Sequence, residues 1–225
     1  MQNGSHVSLN AEAYDTNHTN CVFCHRSGIT FNILKETRSF LLITDHAPLL
    51  EGHILIIPKT HYACYGSAPR TLDAELFALK REVQRFFVQY YAPAIFWEHG
   101  VFRQTVFHAH LHCFPFGNTE YDPVEQLHNR VVRSQDDIRA WYATHGHYFY
   151  MEDATNALLF APDIDRYTHI IKDVLWHGVA TRTHQKHWRS PQQRQVEGGP
   201  LIAATKNKWR EFQQQGATYA DETSA

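Results

Sequence analysis

Histidines at 108, 110 and 112 in the stretch QTVFHAHLHCFPF (residues 104–116) place three imidazoles at every second position. An imidazole with an ordinary pKa of about 6.5 can ligate a metal, carry a proton or attack an electrophile, all within the physiological pH range. Side chains alternate between the faces of a strand, so these three share one face while Phe107, Ala109, Leu111 and Cys113 share the other. Same-face neighbours stand about 7 Å apart, so successive imidazoles suit adjacent but distinct sites better than one three-histidine metal centre. A cupin-like metal pair at His108 and His110 would need a carboxylate on a nearby strand, and no clear candidate stands at a suitable spacing. Elsewhere, Cys21 and Cys24 form a C-x-x-C pair that can supply two thiolates to zinc, and a tetrahedral site needs two more ligands. His61, in PKTH, and His108 are the natural completions, with an ordinary pair of reduced cysteines as the alternative.

The elements that must position these residues follow from periodicity. Strand-like runs cover roughly 31–36, 39–44 (SFLLIT) and 53–58 (HILIIP), with HAPLLEG connecting the last two. From Thr71, a candidate N-cap, Leu72, Leu76, Leu79, Val83, Phe86 and Tyr90 recur at helical spacing, which predicts a long amphipathic helix ending before Pro93. Two further strands, 94–100 and 104–114, complete an α+β fold with a largely antiparallel sheet of about five strands. Beyond Gly117 the pattern changes. Ser134 with Asp137 marks a helix start, HYFYME pairs with ALLFAP across DATN, and RYTHIIKDVLWHG reads as an amphipathic helix. Residues 188–200 read as a linker, a last helix spans 201–214, and the end is loose. The chain thus divides into a flexible leader (1–20), a core domain (21–117) and a C-terminal extension (118–225) that packs on the core or over its pocket.

Composition sets further bounds. At 225 residues with 43% hydrophobic content the chain can fill a core. It has no apolar run of the roughly 18 residues that a membrane helix needs, and residues 1–20 lack the apolar segment of a signal peptide, so a cytoplasmic location is expected. The 21 Lys and Arg against 23 Asp and Glu leave a formal charge of −2, which gives no electrostatic case for a nucleic-acid or anionic-membrane partner. Most of the 17 histidines, among them His145, His147, His177, His184 and His187, show no partner pattern.

DHAPLLEGHILIIPKTH (45–61), followed by QTVFHAHLH (104–112), resembles the histidine triad (HIT) superfamily of nucleotide hydrolases and transferases, and the early CVFC resembles its zinc-binding members. The resemblance covers residues 21–117. It implies a nucleotide-binding catalytic domain with His110 as the nucleophile, His112 as a phosphate-contacting residue, and Gln104 and Thr105 bonded to the phosphate or its bridging oxygen. It also implies zinc, in a structural role, on Cys21, Cys24, His61 and His108. His53 matches a histidine at the edge of the site, and Asp45 matches an acidic residue near the nucleoside pocket. Two positions depart from the family pattern: Glu98 stands where many members have Asn, and Arg103 where many have Gly. Both are candidate nucleotide contacts, and Arg103 either reaches a phosphate or faces solvent.

The implied activity is hydrolysis of a nucleotide phosphoanhydride or phosphoramidate through a nucleotidyl-His110 intermediate. The alternatives are transfer of the nucleotidyl group to a phosphate acceptor, as in relatives of galactose-1-phosphate uridylyltransferase, and a non-catalytic nucleotide-binding module. Those transferases carry Gln at the third triad position, so His112 leans toward the hydrolases. A homodimer is implied by the resemblance alone.

Overall fold

Five antiparallel strands of the core and three from the extension form a single sheet. The computed structural model describes residues 20–117, 129–161, 163–183 and 189–222. The expected leader, apart from Asn20, and the junction at 118–128 lie outside these residues. The strands are β1 (Ile33–Glu36), β2 (Phe40–Thr44), β3 (Ile54–Pro58), β4 (Ile95–Glu98), β5 (Leu111–Phe114), β6 (Asn129–Val131), β7 (Phe149–Glu152) and β8 (Ala157–Phe160). Their order across the sheet is β1-β2-β3-β5-β4-β7-β8-β6. The sheet is therefore wider than the expected five strands, because the hairpin β7–β8 takes the outer edge of β4. None of the described helices is long and apolar enough to cross a membrane.

The runs FLLIT and ILIIP are apolar at nearly every position because both faces of β2 and β3 are covered. On one face, Phe40, Leu42, Ile54, Ile56, Phe96, Leu111 and Cys113 pack against Leu76, Leu79, Val83, Phe86 and Phe87 of helix α1 (Asp73–Tyr90). On the other face, Leu41, Ile43, Leu55 and Ile57 join Phe23 at one end. Ile95, Trp97, Phe114, Phe149 and Phe160 gather at the other end under Val174, Leu175 and Val179 of the extension. The imidazole row stands on this second face, flanked by the two apolar clusters.

Four expectations need correction. The strand expected over 104–114 is a ladder only from Leu111, because residues upstream leave the sheet. Val101 and Arg103 have positive φ (77° and 53°), and the Ala109 N–H donates to the Tyr62 carbonyl at 2.6 Å. Phe107, expected in the core, is consequently 43% exposed, while Ala109, Leu111 and Cys113 are buried as expected. Helix α1 starts two residues after Thr71, behind a 3-10 turn at Arg70–Leu72, with no side-chain cap. The presumed linker contains helix α5 (Pro191–Glu197), begun by a capping box between Ser190 and Gln193 with Pro191 in the first turn. The last helix, α6 (Gly199–Glu222), is longer than 201–214 and sets Trp209 edge-on against Phe86 at 5.0 Å.

Of the other extension helices, the one expected from Ser134 starts there, and the one expected over 166–178 is longer and interrupted. Ser134 and Asp137 form the capping box of α2 (Gln135–His145). Ile164–Ile170 (α3) and His177–Thr183 (α4) flank a π-helical stretch at Ile171–Trp176.

A buried polar knot ties the extension to the core. Glu98, 2% exposed, accepts the Tyr65 N–H at 2.7 Å and the Tyr148 O–H at 2.6 Å. Tyr148 Oη in turn accepts the Gly66 N–H at 2.9 Å. Gly100, at φ 52°, has no room for a side chain, since a Cβ there would lie 2.4 Å from the Tyr148 ring.

Burial raises the Glu98 carboxyl from 4.5 to about 7, against the lowering effect of its two hydrogen bonds. The folded state therefore holds this proton more tightly than the unfolded chain. The stabilising contribution is full below pH 4.5 and is lost as pH rises through 7. Glu98→Gln cannot ionise, so in urea unfolding its stability relative to wild type should rise between pH 5 and 8 by about 3 kcal/mol. Parallel pH profiles for the two proteins would refute the assignment.

Candidate functional site

The segment 104–110 hangs between the ladder and the loop after β3, and side chains rather than sheet bonds set its path. Gln104 donates from Nε2 to the carbonyls of Ala63 (3.2 Å) and His108 (2.7 Å), and its Oε1 accepts the Val101 N–H at 3.1 Å. Its amide is thus spent on the backbone. The structure places Gln104, expected as a phosphate contact, under the row with its amide on the backbone. Thr105 lies exposed in the same loop.

His110 is 5% exposed, with Phe23 edge-on at 5.5 Å and His112 at 5.0 Å between ring centroids. Its Nδ1–H donates to the His108 carbonyl at 2.7 Å, the same oxygen that Gln104 holds. That bond leaves the lone pair on Nε2. Burial lowers the pKa of His110, so the neutral ring is favoured, although the His108 carbonyl and Asp45 oppose the shift.

His53 fixes the next ring. The Leu49 N–H donates to His53 Nδ1 at 3.3 Å, so the neutral ring carries its proton on Nε2, which lies 3.0 Å from His112 Nδ1. His112 then accepts at Nδ1 and keeps its own proton on Nε2, the tautomer of a hydrogen-bond donor. Burial, opposed by Asp45, holds His53 down to about 4, and burial together with neighbouring rings holds His112 well below its usual value. Asp45 Oδ2 stands 3.7 Å from His53 Nε2. Asp45, His53 and His112 have ligand atoms within 4.8 Å of one another, as in a cation site. A ligating imidazole donates from its other nitrogen, however, and His53 Nδ1 accepts, so the hydrogen-bond relay accounts better for these contacts.

A second cluster lies at the start of the row. Cys21, Cys24, His61 and His108 also have ligand atoms within 4.8 Å of one another. Cys21 Sγ is 3.3 Å from His108 Nδ1, and Cys24 Sγ is 3.3 Å from His61 Nδ1 and 3.5 Å from His108 Nδ1. A tetrahedral zinc with sulfur at about 2.3 Å and nitrogen at about 2.0 Å has S···N edges of about 3.5 Å, which these separations match. His108, fully buried, donates from Nε2 to the Pro58 carbonyl at 2.7 Å, and this leaves Nδ1 as the ligand atom. Burial and Cys21 push the Cys24 thiol up to about 11, so the thiolates need a cation beside them. The four residues fit zinc.

Of the two positions that depart from the family pattern, one faces away from the row. Glu98 sits on the opposite face of the sheet from the row, because its strand neighbour Trp97 is the one paired with His112. Arg103 is exposed, with its guanidinium 5.8 Å from the Tyr167 ring. Sequence reasoning missed His99, which shares the Trp97 face and meets His112 edge-on at 5.9 Å, and Tyr167 of α3, which meets His99 at 5.6 Å. The alternation in WEHG was the available signal for His99; nothing local marked Tyr167.

The chain is similar to known proteins over its core domain. A family model described as HIT domain matches residues 26–119. Adenosine 5'-monophosphoramidase hnt1 of Schizosaccharomyces pombe is 30% identical over 103 residues, covering 45% of this chain and 77% of that protein. An uncharacterized HIT-like protein of Mycoplasma pneumoniae is 30% identical over 106 residues, covering 43% of this chain and 71% of its own. A solved Zn-bound histidine triad family protein from Mycobacterium smegmatis is 30% identical, covers 56% of this chain and 96% of its own, and superposes with a TM-score of 0.38. The family model spans the part of the chain that carries the imidazole row, and the chain belongs to the HIT family.

Proposed function

We propose that this protein is a nucleotide hydrolase that releases a nucleoside monophosphate from a phosphoanhydride or phosphoramidate through a covalent nucleotidyl-His110 intermediate. The observation that carries the reading is the bond from His110 Nδ1–H to the His108 carbonyl, which leaves Nε2 as a buried, oriented lone pair. The phosphoramidase activity in the name of the Schizosaccharomyces pombe relative points the same way.

In the first step, Nε2 forms a bond to the α-phosphorus while the bond to the leaving group breaks. The electron pair departs with that group, and an amine also takes up a proton from solvent. In the second step, water adds to phosphorus and releases a proton. The phosphorus–nitrogen bond breaks, and the lone pair returns to Nε2. The His112 Nε2–H steadies a non-bridging oxygen through both steps. Cys21, Cys24, His61 and His108 would hold a structural zinc, whose chemistry is to ionise the thiols and cross-link the N-terminal segment to the row. Alkaline-quenched mass spectrometry, which preserves the acid-labile phosphorus–nitrogen bond, should find one nucleoside monophosphate on His110 during turnover of adenosine phosphoramidate. Turnover that leaves no adduct on rapid quenching would overturn the covalent route.

His53 acts in this scheme by fixing the tautomer of His112. His53→Ala should lower kcat by about 10²-fold with little change in KM, and His53→Gln, whose amide N–H can donate to His112, should recover part of the loss. A Gln variant no better than Ala would remove the relay.

A further inference from the structure

The extension grips the loop between β2 and β3 at four of its residues, Ala47, Pro48, Glu51 and Gly52. Arg194 of α5 donates through Nε to the Ala47 carbonyl at 3.1 Å, and a Cβ at Gly198 would lie 2.7 Å from Pro48 Cδ. From α6, Lys208 pairs with Glu51 at 2.8 Å, and Thr205 Oγ1 accepts the Gly52 N–H at 2.9 Å. Thr205 is 2% exposed and donates its own proton to the Leu201 carbonyl at 2.8 Å, which turns a lone pair toward Gly52. Leu49 and Leu50, between the gripped residues, share a buried cluster with Val174, Leu175 and Val179 of the extension.

This loop is also the one that touches the imidazole row. The Leu49 N–H donates to His53 Nδ1 at 3.3 Å, Asp45 Oδ2 lies 3.7 Å from His53 Nε2, and His53 Nε2 is 3.0 Å from His112 Nδ1. Leu49 and Asp45 both favour the His53 proton on Nε2, so His112 accepts at Nδ1 and keeps its own proton on Nε2 for a phosphate oxygen. A loop that drifts away releases His53 Nδ1 to take the proton. The lone pair then left on His53 Nε2 draws the His112 proton to Nδ1, and His112 meets the phosphate with a lone pair instead of a donor. Placement of the loop therefore decides which nitrogen of His112 is protonated, and the extension places the loop.

We propose that Thr205 is a positioning residue for the reaction: its hydroxyl holds the loop so that the Leu49 N–H stays on His53, and the last helix thereby sets the tautomer of His112. The proposal rests on the nucleotide-hydrolase reading above for its effect on rate. It goes beyond that reading by making α6, which lies outside the matched family domain, part of what prepares the site.

Thr205→Val keeps the shape of the side chain and removes the acceptor, whereas Thr205→Ser keeps the hydroxyl. In the full chain, Thr205→Val should lower kcat for adenosine phosphoramidate by about tenfold with KM changed by less than about twofold, a loss of the kind produced by small misplacements remote from the chemistry. Thr205→Ser should restore most of it. In the His53→Ala background Thr205→Val should cost nothing more, since both changes act through one ring. Imidazole ¹⁵N NMR spectra recorded without substrate should place the His53 proton on Nε2 in wild type and Thr205→Ser, and partly on Nδ1 in Thr205→Val. Arg194→Met, which frees the Ala47 carbonyl and leaves α6 untouched, should shift the same signals and serves if Thr205→Val does not fold. Wild-type kcat in Thr205→Val, an undiminished loss in the His53→Ala background, or unchanged tautomers in the folded variant would overturn the role of Thr205. A wild type that turns over no nucleotide would instead overturn the hydrolase reading, and the spectra would still decide the role of Thr205.

Discussion

His110→Ala should lower turnover of adenosine phosphoramidate by roughly 10⁴-fold or more, the scale seen when a covalent nucleophile is removed. His110 is the ring whose Nδ1–H is committed to a backbone carbonyl while Nε2 is left as a lone pair. His53, His108 and His112 cannot replace it. His112 Nδ1 and His53 Nε2 are engaged with each other, and His108 is directed at the cysteine pair and the Pro58 carbonyl. The variant should keep its zinc, because the four ligand residues are untouched, so metal content separates lost chemistry from lost structure. Initial rates measured on equal amounts of metal-loaded protein decide the point. Wild-type rates from His110→Ala would sink the catalytic assignment.

Removal of the metal should have the second largest effect. The purified chain should carry one zinc, and Cys21→Ser or a strong chelator should remove it. The thermal midpoint should then fall by about 10 °C, equivalent to about 3–5 kcal/mol for a chain of this size. Zinc-finger peptides lose all structure without metal. Here the loss is smaller, because α1 and both faces of the sheet have apolar cores that no ligand residue supports. Turnover should fall as well, by about 10- to 100-fold, since the carbonyl of His108 is the acceptor that orients His110. Protein isolated without chelators and found free of metal, with the same midpoint as Cys21→Ser, would refute the four-ligand site.

Both effects pass through the carbonyl of His108. It accepts from the attacking ring and from the Gln104 amide, while the side chain of the same residue faces the cysteines. Nucleophile and metal site therefore share one residue, and a change in either should be felt in the other.

The row itself was legible in the chain because alternation is a local property. His108, His110 and His112 lie on one face whatever the strand pairs with, and C-x-x-C with PKTH is a ligand pattern wherever the ends meet. The amphipathic stripe of α1 and the β7–β8 hairpin were legible for the same reason: periods of 3.6 and 2 and a turn sequence act over a few residues. Even α5 carried its capping box at Ser190 and Gln193, obscured by the Gly-Gly-Pro that follows.

Tertiary structure decided what depends on register and distance along the chain. Glu98 faces away from the site, and His99 toward it, only because Trp97 is the residue paired with His112. The spent amide of Gln104 follows from the positive φ of Val101 and Arg103, which bend the segment out of the ladder. Arg194 meets the carbonyl of Ala47 across 147 residues. Such a contact is set by how α5 and the loop before β3 pack, and no local pattern encodes the partner. Residue spacing alone determined which side chains can do chemistry here; long-range packing determined which of them meet, because hydrogen bonds and charges act over ångströms in space rather than along the chain.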